Sequence, residues 1–159
     1  MNFLSTNNLT FCEDNHLYST WNNLEVDKCA SAWLIVRFID PQASFRFYSS
    51  GELISEGIPF DTPDSEIRRT FNKTAFEVIM GKYNISDPAI KKLADIIRDV
   101  EINLWARKRY KLSEELNLKI NEIIKNSSSP EEALKKSFKI FDSLHDQIKK
   151  GKGSNINKN

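Results

Sequence analysis

The segment from residue 26 to residue 39 constrains the fold most, because apolar side chains cover nearly every face of the helix that it predicts. Asp27 lies in the expected first turn, where the helix dipole favours negative charge. Asp40 precedes Pro41, and a residue before proline disfavours the helical conformation. A helix that is apolar on all sides needs other elements around it, so we predict a central, buried helix. Its apolar residues are Val26, Ala30, Trp33, Leu34, Ile35, Val36, Phe38 and Ile39.

The rest of the chain predicts four further helices and little strand. Helical patterns cover residues 74–83, 88–106 and 112–124 and the stretch after Pro130, and Asp87 before Pro88 is a typical helix start. Phe45 and Phe47 alternate with their neighbours over residues 44–48, which predicts a short strand, and residues 57–61 predict a second extended piece. We therefore predict a mostly α (α+β) fold, a single domain of about five helices with a short two-stranded β element near residues 44–61.

Length and composition limit the domain organisation and the location. The chain has 159 residues, 40% of them hydrophobic, which is enough for one domain. Residues 1–19 predict a mobile N-terminal arm, residues 20–149 the domain, and residues 150–159 a disordered tail. Lys and Arg number 23 and Asp and Glu 22, so no overall charge attracts nucleic acid or a membrane surface. With no membrane span, no signal peptide and free thiols at Cys12 and Cys29, we expect a cytoplasmic protein.

Charged residues supply the candidates for chemistry, since no Cys/His metal motif, nucleophile motif or phosphate-binding loop is present. Arg68 and Arg69 lie between a turn and a helix, and guanidinium groups suit oxyanions, although pairing with nearby glutamates would explain them equally. Asp95 and Asp99 are one helical turn apart and could bind a hard divalent cation, or simply face solvent. Arg98 and Glu101, at i, i+3 spacing, predict an ion pair.

A basic run with aromatic ends covers residues 105–111, WARKRYK. Such a run can hold phosphates and stack bases. It also follows a predicted helix, where positive charge complements the helix dipole without any ligand. Both interpretations stay open at this point.

Residues 27–41, DKCASAWLIVRFIDP, resemble the opening motif of the chromate-resistance protein family, in particular the C-terminal domain of ChrB-type chromate-responsive regulators. The family pattern there reads approximately D-R-x-A-C-P-W-L-I-x-R-F-I-D-P. The likeness continues through residues 57–61 (GIPFD), 76–77 and 87–89 to the acidic pair Asp99 and Glu101. It covers roughly residues 20–148.

The resemblance implies a role in chromate resistance and stress response, by binding or sensing chromate-like oxyanions. In that hypothesis Arg37, Arg69 and Arg98 contact the anion, and glutamates orient them. A second hypothesis is an enzyme in which carboxylates hold a divalent metal, so both a cofactor and catalysis are left open. A third is a protein- or RNA-interaction module that uses residues 107–111. The orienting or metal-binding carboxylates are Asp27, Glu66, Glu77, Asp99 and Glu101.

The chain departs from the family pattern at four positions where many relatives have Cys or His. It has Ser31, Arg69, Thr74 and Arg98 there, and these are poor ligands for soft metals. The regulators carry an additional N-terminal domain that is thought to contact DNA, and residues 1–19 are too short for one. We therefore do not expect direct DNA binding, and a homo-oligomer is left open.

Overall fold

The computed structural model describes residues 15–151, and it confirms a mostly α (α+β) single domain. Five α-helices pack with a small sheet and one π-helical segment. In chain order the elements are β1 (Leu17–Trp21), α1 (Val26–Leu34), the π-helical segment (Ile35–Ile39), β2 (Ser44–Tyr48), β3 (Ile58–Pro59), α2 (Ala75–Lys82), α3 (Pro88–Glu101), α4 (Lys111–Asn126) and α5 (Pro130–Lys149). The predictions for residues 1–14 and 152–159 concern residues outside the described part.

The first helix is central, as its apolar pattern predicts. All residues of α1 are buried, and the helix contacts α2, α3, α4 and α5. The ring of Trp33 packs against Phe141 of α5. The predicted helix continues to Ile39, but as a π-helical turn in which the Asp40 amide donates to the Ile35 carbonyl at 2.7 Å.

The sheet has three parallel strands in the order β2-β1-β3, with β1 in the middle. The sequence predicts two strands near residues 44–61 and assigns residues up to 19 to a mobile arm. That boundary is wrong, because residues 17–21 form the central strand. Ser19 and Thr20 are fully buried there. Polar side chains at buried positions remove the apolar alternation by which a strand is recognised in a sequence.

The third α-helix ends at Glu101, before the predicted end near residue 106. Lys108 folds back onto this end, and its ammonium donates to the carbonyls of Asp99, Val100 and Asn103. The side chain thereby satisfies carbonyls that have no partner within the helix. The basic run therefore lies in the loop between α3 and α4, where one of its lysines caps a helix.

The ends of the other helices follow local rules that are readable in the sequence. Thr74, Asp87 and Ser129 each accept a hydrogen bond from a backbone amide in the first turn of α2, α3 and α5, respectively. Pro88 and Pro130 occupy first-turn positions, where no amide is needed. None of the helices within residues 15–151 is both long and apolar enough to cross a bilayer.

Candidate functional site

Charged side chains meet at the N-terminal end of α1, next to the N-terminus of α2. The group consists of Glu25, Asp27, Arg69 and Glu101, and we call it the Asp27 cluster. Glu25 and Asp27 belong to the start of α1, Arg69 to the segment before α2, and Glu101 to the end of α3. The start of α1 and the end of α3 therefore converge on the guanidinium of Arg69.

Asp27 is fully buried and joins two helices. Its carboxylate accepts hydrogen bonds from the amides of Ala75 and Phe76, at 2.7 and 2.9 Å. These amides open α2, where the helix dipole favours negative charge. Burial raises the pKa of Asp27, whereas the Phe76 amide and the Arg69 guanidinium oppose that rise. The side chain thus fixes the position of α2 against α1.

Arg69 bridges three carboxylates. Its terminal nitrogens lie 2.9 Å from Glu25, 3.3 Å from Asp27 and 3.2 Å from Glu101. Burial alone would lower the pKa of Arg69, but Glu101 and the other acids outweigh burial and raise it. The guanidinium therefore stays charged and holds the cluster together.

Glu101 closes the cluster from the side of α3. It accepts a hydrogen bond from the backbone amide of Asp27 at 3.1 Å, which satisfies a donor in the first turn of α1. Burial and the nearby Glu25 raise the pKa of Glu101 to about 7. A carboxyl group that titrates near neutral pH is typical of functional sites and also of structural ion networks.

Lys28 follows Asp27 in α1 and is buried as well. Its ammonium donates to the carbonyls of Trp21 and Asn23 and to the side-chain oxygen of Asn23, at 2.9–3.3 Å. Burial lowers the pKa of Lys28, and the negative charge of Asp61 and Glu25 opposes that shift.

A cavity of about 420 Å³ opens beside the Asp27 cluster, and we call it the Asp61 cavity. Two residues of its wall, Arg69 and Asp61, each carry a buried polar atom that has no hydrogen-bond partner among the described residues, Nε and Oδ2, respectively. Burial and the negative charges of Asp27 and Glu25 raise the pKa of Asp61 to about 8, although the positive charges of Lys28 and Arg69 oppose that rise. Buried polar atoms without partners are uncommon in folded proteins and call for a ligand or water. The cavity is lined by Trp21, Asn23, Glu25, Lys28, Asp61, Thr62, Pro63, Arg68 and Arg69.

Arg98 of α3 contacts the first turn of α2. It donates two hydrogen bonds to Glu77, at 2.9 and 2.7 Å. Glu77 also forms a capping box with Thr74, in which each residue's side chain accepts from the other's amide. The predicted ion pair between Arg98 and Glu101 is therefore wrong, since each pairs with a residue from another element.

A second cavity, of about 480 Å³, is lined in part by Arg98, Asp95 and Asp99. Asp99 is not free to bind a cation there, because its carboxylate accepts from the amides of Arg109 and Tyr110 and from the Asn103 side chain. Burial alone would raise the pKa of Asp99, but these hydrogen bonds lower it. Within residues 15–151, no group of three or more His, Cys, Asp or Glu side chains is placed to hold a metal ion.

Arg37 and Glu66 lie farther from the cluster than the other predicted site residues do. Arg37 makes a two-pronged ion pair with Asp142 of α5, both bonds at 2.9 Å. It lies roughly 15 Å along the helix axis from Asp27, at a rise of about 1.5 Å per residue. Glu66 is exposed and pairs with Lys82 at 2.8 Å. The structure therefore brings Arg69 and Arg98 to the same end of α2, and it does not bring Arg37 there.

The four positions that depart from the family pattern all lie around the N-terminus of α2. Ser31 is buried, and its hydroxyl lies 3.4 Å from the Asp27 carboxylate. Arg69 contacts Asp27, Thr74 caps α2, and Arg98 binds Glu77. Residues scattered along the sequence thus surround one place in the fold, and hydroxyl and guanidinium groups occupy it here.

Three residues of the site were not predicted: Glu25, Lys28 and Asp61. Lys28 carried a signal, because a lysine in a helix that is apolar on all sides must find polar partners when buried. Asp61 carried a weaker signal, because it is the last residue of the GIPFD segment that resembles the family pattern. Nothing in the sequence distinguished Glu25, whose role depends on the position of Arg69.

Comparison with known proteins gives one family match and one related protein. The model of the family described as ChrB, C-terminal domain, matches residues 18–148. Protein ChrB of Cupriavidus metallidurans is 28% identical over 87 residues, which are 54% of this chain and 27% of that protein. The matched part is thus about a quarter of that relative's length. No solved structure matches the chain. Because the family model covers nearly all of the described residues, the chain belongs to the ChrB C-terminal domain family.

Proposed function

We propose that this protein binds a chromate-like tetrahedral oxyanion in the Asp61 cavity, as part of a chromate-resistance system. The observation that carries the proposal is that two residues lining the cavity, Arg69 and Asp61, each have a buried polar atom without a partner among the described residues. A guanidinium N–H is a strong donor for an oxyanion, and it forms a charge-assisted hydrogen bond. The ChrB family membership supports the same class of ligand.

The positive groups of the cavity have different parts in the proposal. Arg68 is exposed, lines the cavity and makes no hydrogen bond or ion pair within residues 15–151, so its guanidinium is free to bind an anion. Arg69 offers Nε while its terminal nitrogens hold the cluster. Lys28 contributes charge, since its ammonium already has three acceptors. Arg68 therefore contacts the anion from the solvent side and Arg69 from within the protein.

In this proposal Arg37 and Arg98 do not contact the anion, unlike in the hypothesis drawn from the sequence. Arg98 is engaged by Glu77 and lines the neighbouring cavity. Arg37 is engaged by Asp142 and is far from the Asp61 cavity. We therefore propose Arg68 and Arg69 as the anion contacts.

The test is to titrate the purified protein with anions. Calorimetry measures the affinity, and the melting temperature measures the stabilisation. Chromate, sulfate, molybdate and phosphate are compared, with thiol-blocked protein to exclude oxidation by chromate. A bound ligand stabilises the folded state, so a saturable rise in melting temperature is expected. Arg68→Ala should weaken binding at least about tenfold, because one charge-assisted hydrogen bond contributes about 1.5 kcal/mol or more.

The matched control is Arg37→Ala, which removes an arginine that is also exposed but lies outside the cavity. It should leave the affinity unchanged. If Arg37→Ala weakens binding and Arg68→Ala does not, the anion is bound elsewhere and the assignment to the Asp61 cavity is wrong. If no anion binds to the unaltered protein, the proposed function itself is wrong.

A further inference from the structure

We propose that Asp61 makes the cavity a site for a doubly charged tetrahedral oxyanion that is bound together with one proton. The proton lies between the Asp61 carboxyl and an oxygen of the ligand, and it comes from the solvent. This inference rests on the proposed function and names the ligand class and the pH dependence of the same site.

The backbone around Asp61 is held in a fixed conformation beside the cavity. Asp61 itself lies in the left-handed region, at φ 47°, and its amide donates to the Ile67 carbonyl at 2.6 Å. An aspartate tolerates this conformation better than most residues. The backbone is thus fixed next to the cavity, and Oδ2 is buried without a partner among the described residues. Because Asp61 lines the cavity, a ligand oxygen is the partner that we assign to this atom.

Charged groups lie around Asp61. From α1 and its cap, Glu25, Asp27 and Lys28 act on it, and from the segment before α2, Arg69 acts on it. Arg69 in turn binds Glu101 of α3. Carboxylates therefore outnumber the buried cations, and a dianion placed against an ionised Asp61 would meet repulsion from a like charge.

A shared proton removes that repulsion and supplies a hydrogen bond. A protonated carboxyl donates its O–H to an oxyanion, while Arg69 Nε donates from the other buried position. Both atoms that lack partners are then satisfied by one ligand. The raised pKa of Asp61, about 8, supports this arrangement because the carboxyl still holds its proton at neutral pH.

The consequence is a distinct pH dependence. Sulfate and chromate have no proton of their own to offer in mildly alkaline solution, so each requires the protonated form of Asp61. The association constant should fall about tenfold between pH 7 and pH 9, as the free site loses that form. Binding at pH 9 should take up about one proton per anion from the buffer.

The experiment is calorimetric titration with sulfate and with chromate at pH 7, 8 and 9, in buffers of different ionisation enthalpy. Asp61→Asn replaces the carboxyl by an amide that donates but does not titrate. Between pH 8 and pH 9, where Glu101 is already ionised, this variant should bind both anions with an affinity that is independent of pH and with no proton uptake. Glu101→Gln removes the other carboxyl that titrates near neutral pH and, whatever its affinity, should keep the tenfold slope.

Several results would overturn the inference while leaving oxyanion binding intact. These are a flat pH profile in the unaltered protein, no proton uptake at pH 9, a slope that persists in Asp61→Asn, or a slope lost in Glu101→Gln. If Asp61→Asn does not fold, proton uptake by the unaltered protein and the slope of Glu101→Gln decide the question. Absence of binding at every pH would instead contradict the proposed function.

Discussion

Asp27 shows how a single buried charge can organise a site. Its carboxylate accepts hydrogen bonds from two backbone amides of α2, and its own amide donates to Glu101. Asp27 thereby connects α1 with both α2 and α3. Arg69 balances its charge at 3.3 Å. Removing one partner from such a buried arrangement leaves the others without compensation, which costs more than the interaction itself provides.

We expect Asp27→Asn to lower the free energy of unfolding by ~3 kcal/mol. The variant leaves the Arg69 guanidinium without one of its negative partners and one α2 amide without an acceptor. Urea unfolding at pH 7, followed by circular dichroism, measures the change. Glu66→Gln is the control, since it removes a carboxylate from an exposed ion pair with Lys82 and should leave the unfolding midpoint unchanged. Similar midpoints for the two variants would contradict the role assigned to Asp27.

The sequence predicts many of the charged residues of the site but few of their pairings. Asp27, Arg69 and Glu101 could be selected because their types suit an anion or metal site and they lie in motif segments. Which carboxylate meets which arginine depends on where α2 and α3 pack, and this cannot be read from spacing within one helix. The predicted Arg98–Glu101 ion pair is wrong for this reason, because Arg98 pairs with Glu77 and Glu101 pairs with Arg69.

At the level of elements, the helices could be predicted and the central strand could not. The apolar pattern of α1 requires burial on every side, and helix caps such as Asp87 mark starts locally. Strand β1 carries buried Ser19 and Thr20 and gains its stability from parallel neighbours distant in sequence. Its formation therefore depends on tertiary contacts that no local pattern reports.

Gly57 lies where the segment before β3 closely approaches β1. A Cβ at this position would lie 2.5 Å from the Ser19 hydroxyl and 3.0 Å from Leu17 atoms, and φ is +83°. That hydroxyl also donates to the Glu56 carbonyl. We expect Gly57→Ala to destabilise the protein by about 1–2 kcal/mol from the backbone conformation, and further from the collision with β1.

Gly51→Ala is the matched control for this prediction. Gly51 also has a positive φ, +90°, but nothing lies within 4 Å of the added Cβ. It should show only the backbone contribution, so its melting temperature should fall less than that of Gly57→Ala. If the two variants lower the melting temperature equally, the collision with β1 does not contribute to the destabilisation by Gly57→Ala.

For the whole molecule, stability should decline from mildly acidic to alkaline pH. Glu101 and Asp61 have raised pKa values, about 7 and about 8, so the folded state keeps protons that the unfolded chain has already released. Their stabilising effect is fully present below the unfolded pKa values, near 4, and is lost as pH rises through 7 and 8. Urea unfolding at pH 5, 6, 7, 8 and 9 should show a falling free energy of unfolding.

The double variant Asp61→Asn, Glu101→Gln should flatten this profile, because neither group then titrates.

At acid pH, Asp142 should change the stability in the opposite direction, because its pKa is lowered, chiefly by the hydrogen bond from Arg37. Its contribution is present above the unfolded pKa and is lost as pH falls through the lowered value. A profile that rises from pH 5 to pH 8 would contradict the charge balance described for the cluster.

The position of β1 in the sheet has a consequence for the order of folding. Leu17 pairs with Ser44 and Tyr18 with Ile58, both in parallel, so no hairpin can start the sheet. Each pairing closes a long loop, and that entropy must be lost before the contacts are gained. The α4–α5 pair, by contrast, is joined by a short connection and can associate locally. We therefore expect the transition state to contain helical contacts and little sheet, so that destabilising changes in β1 accelerate unfolding more than they slow folding.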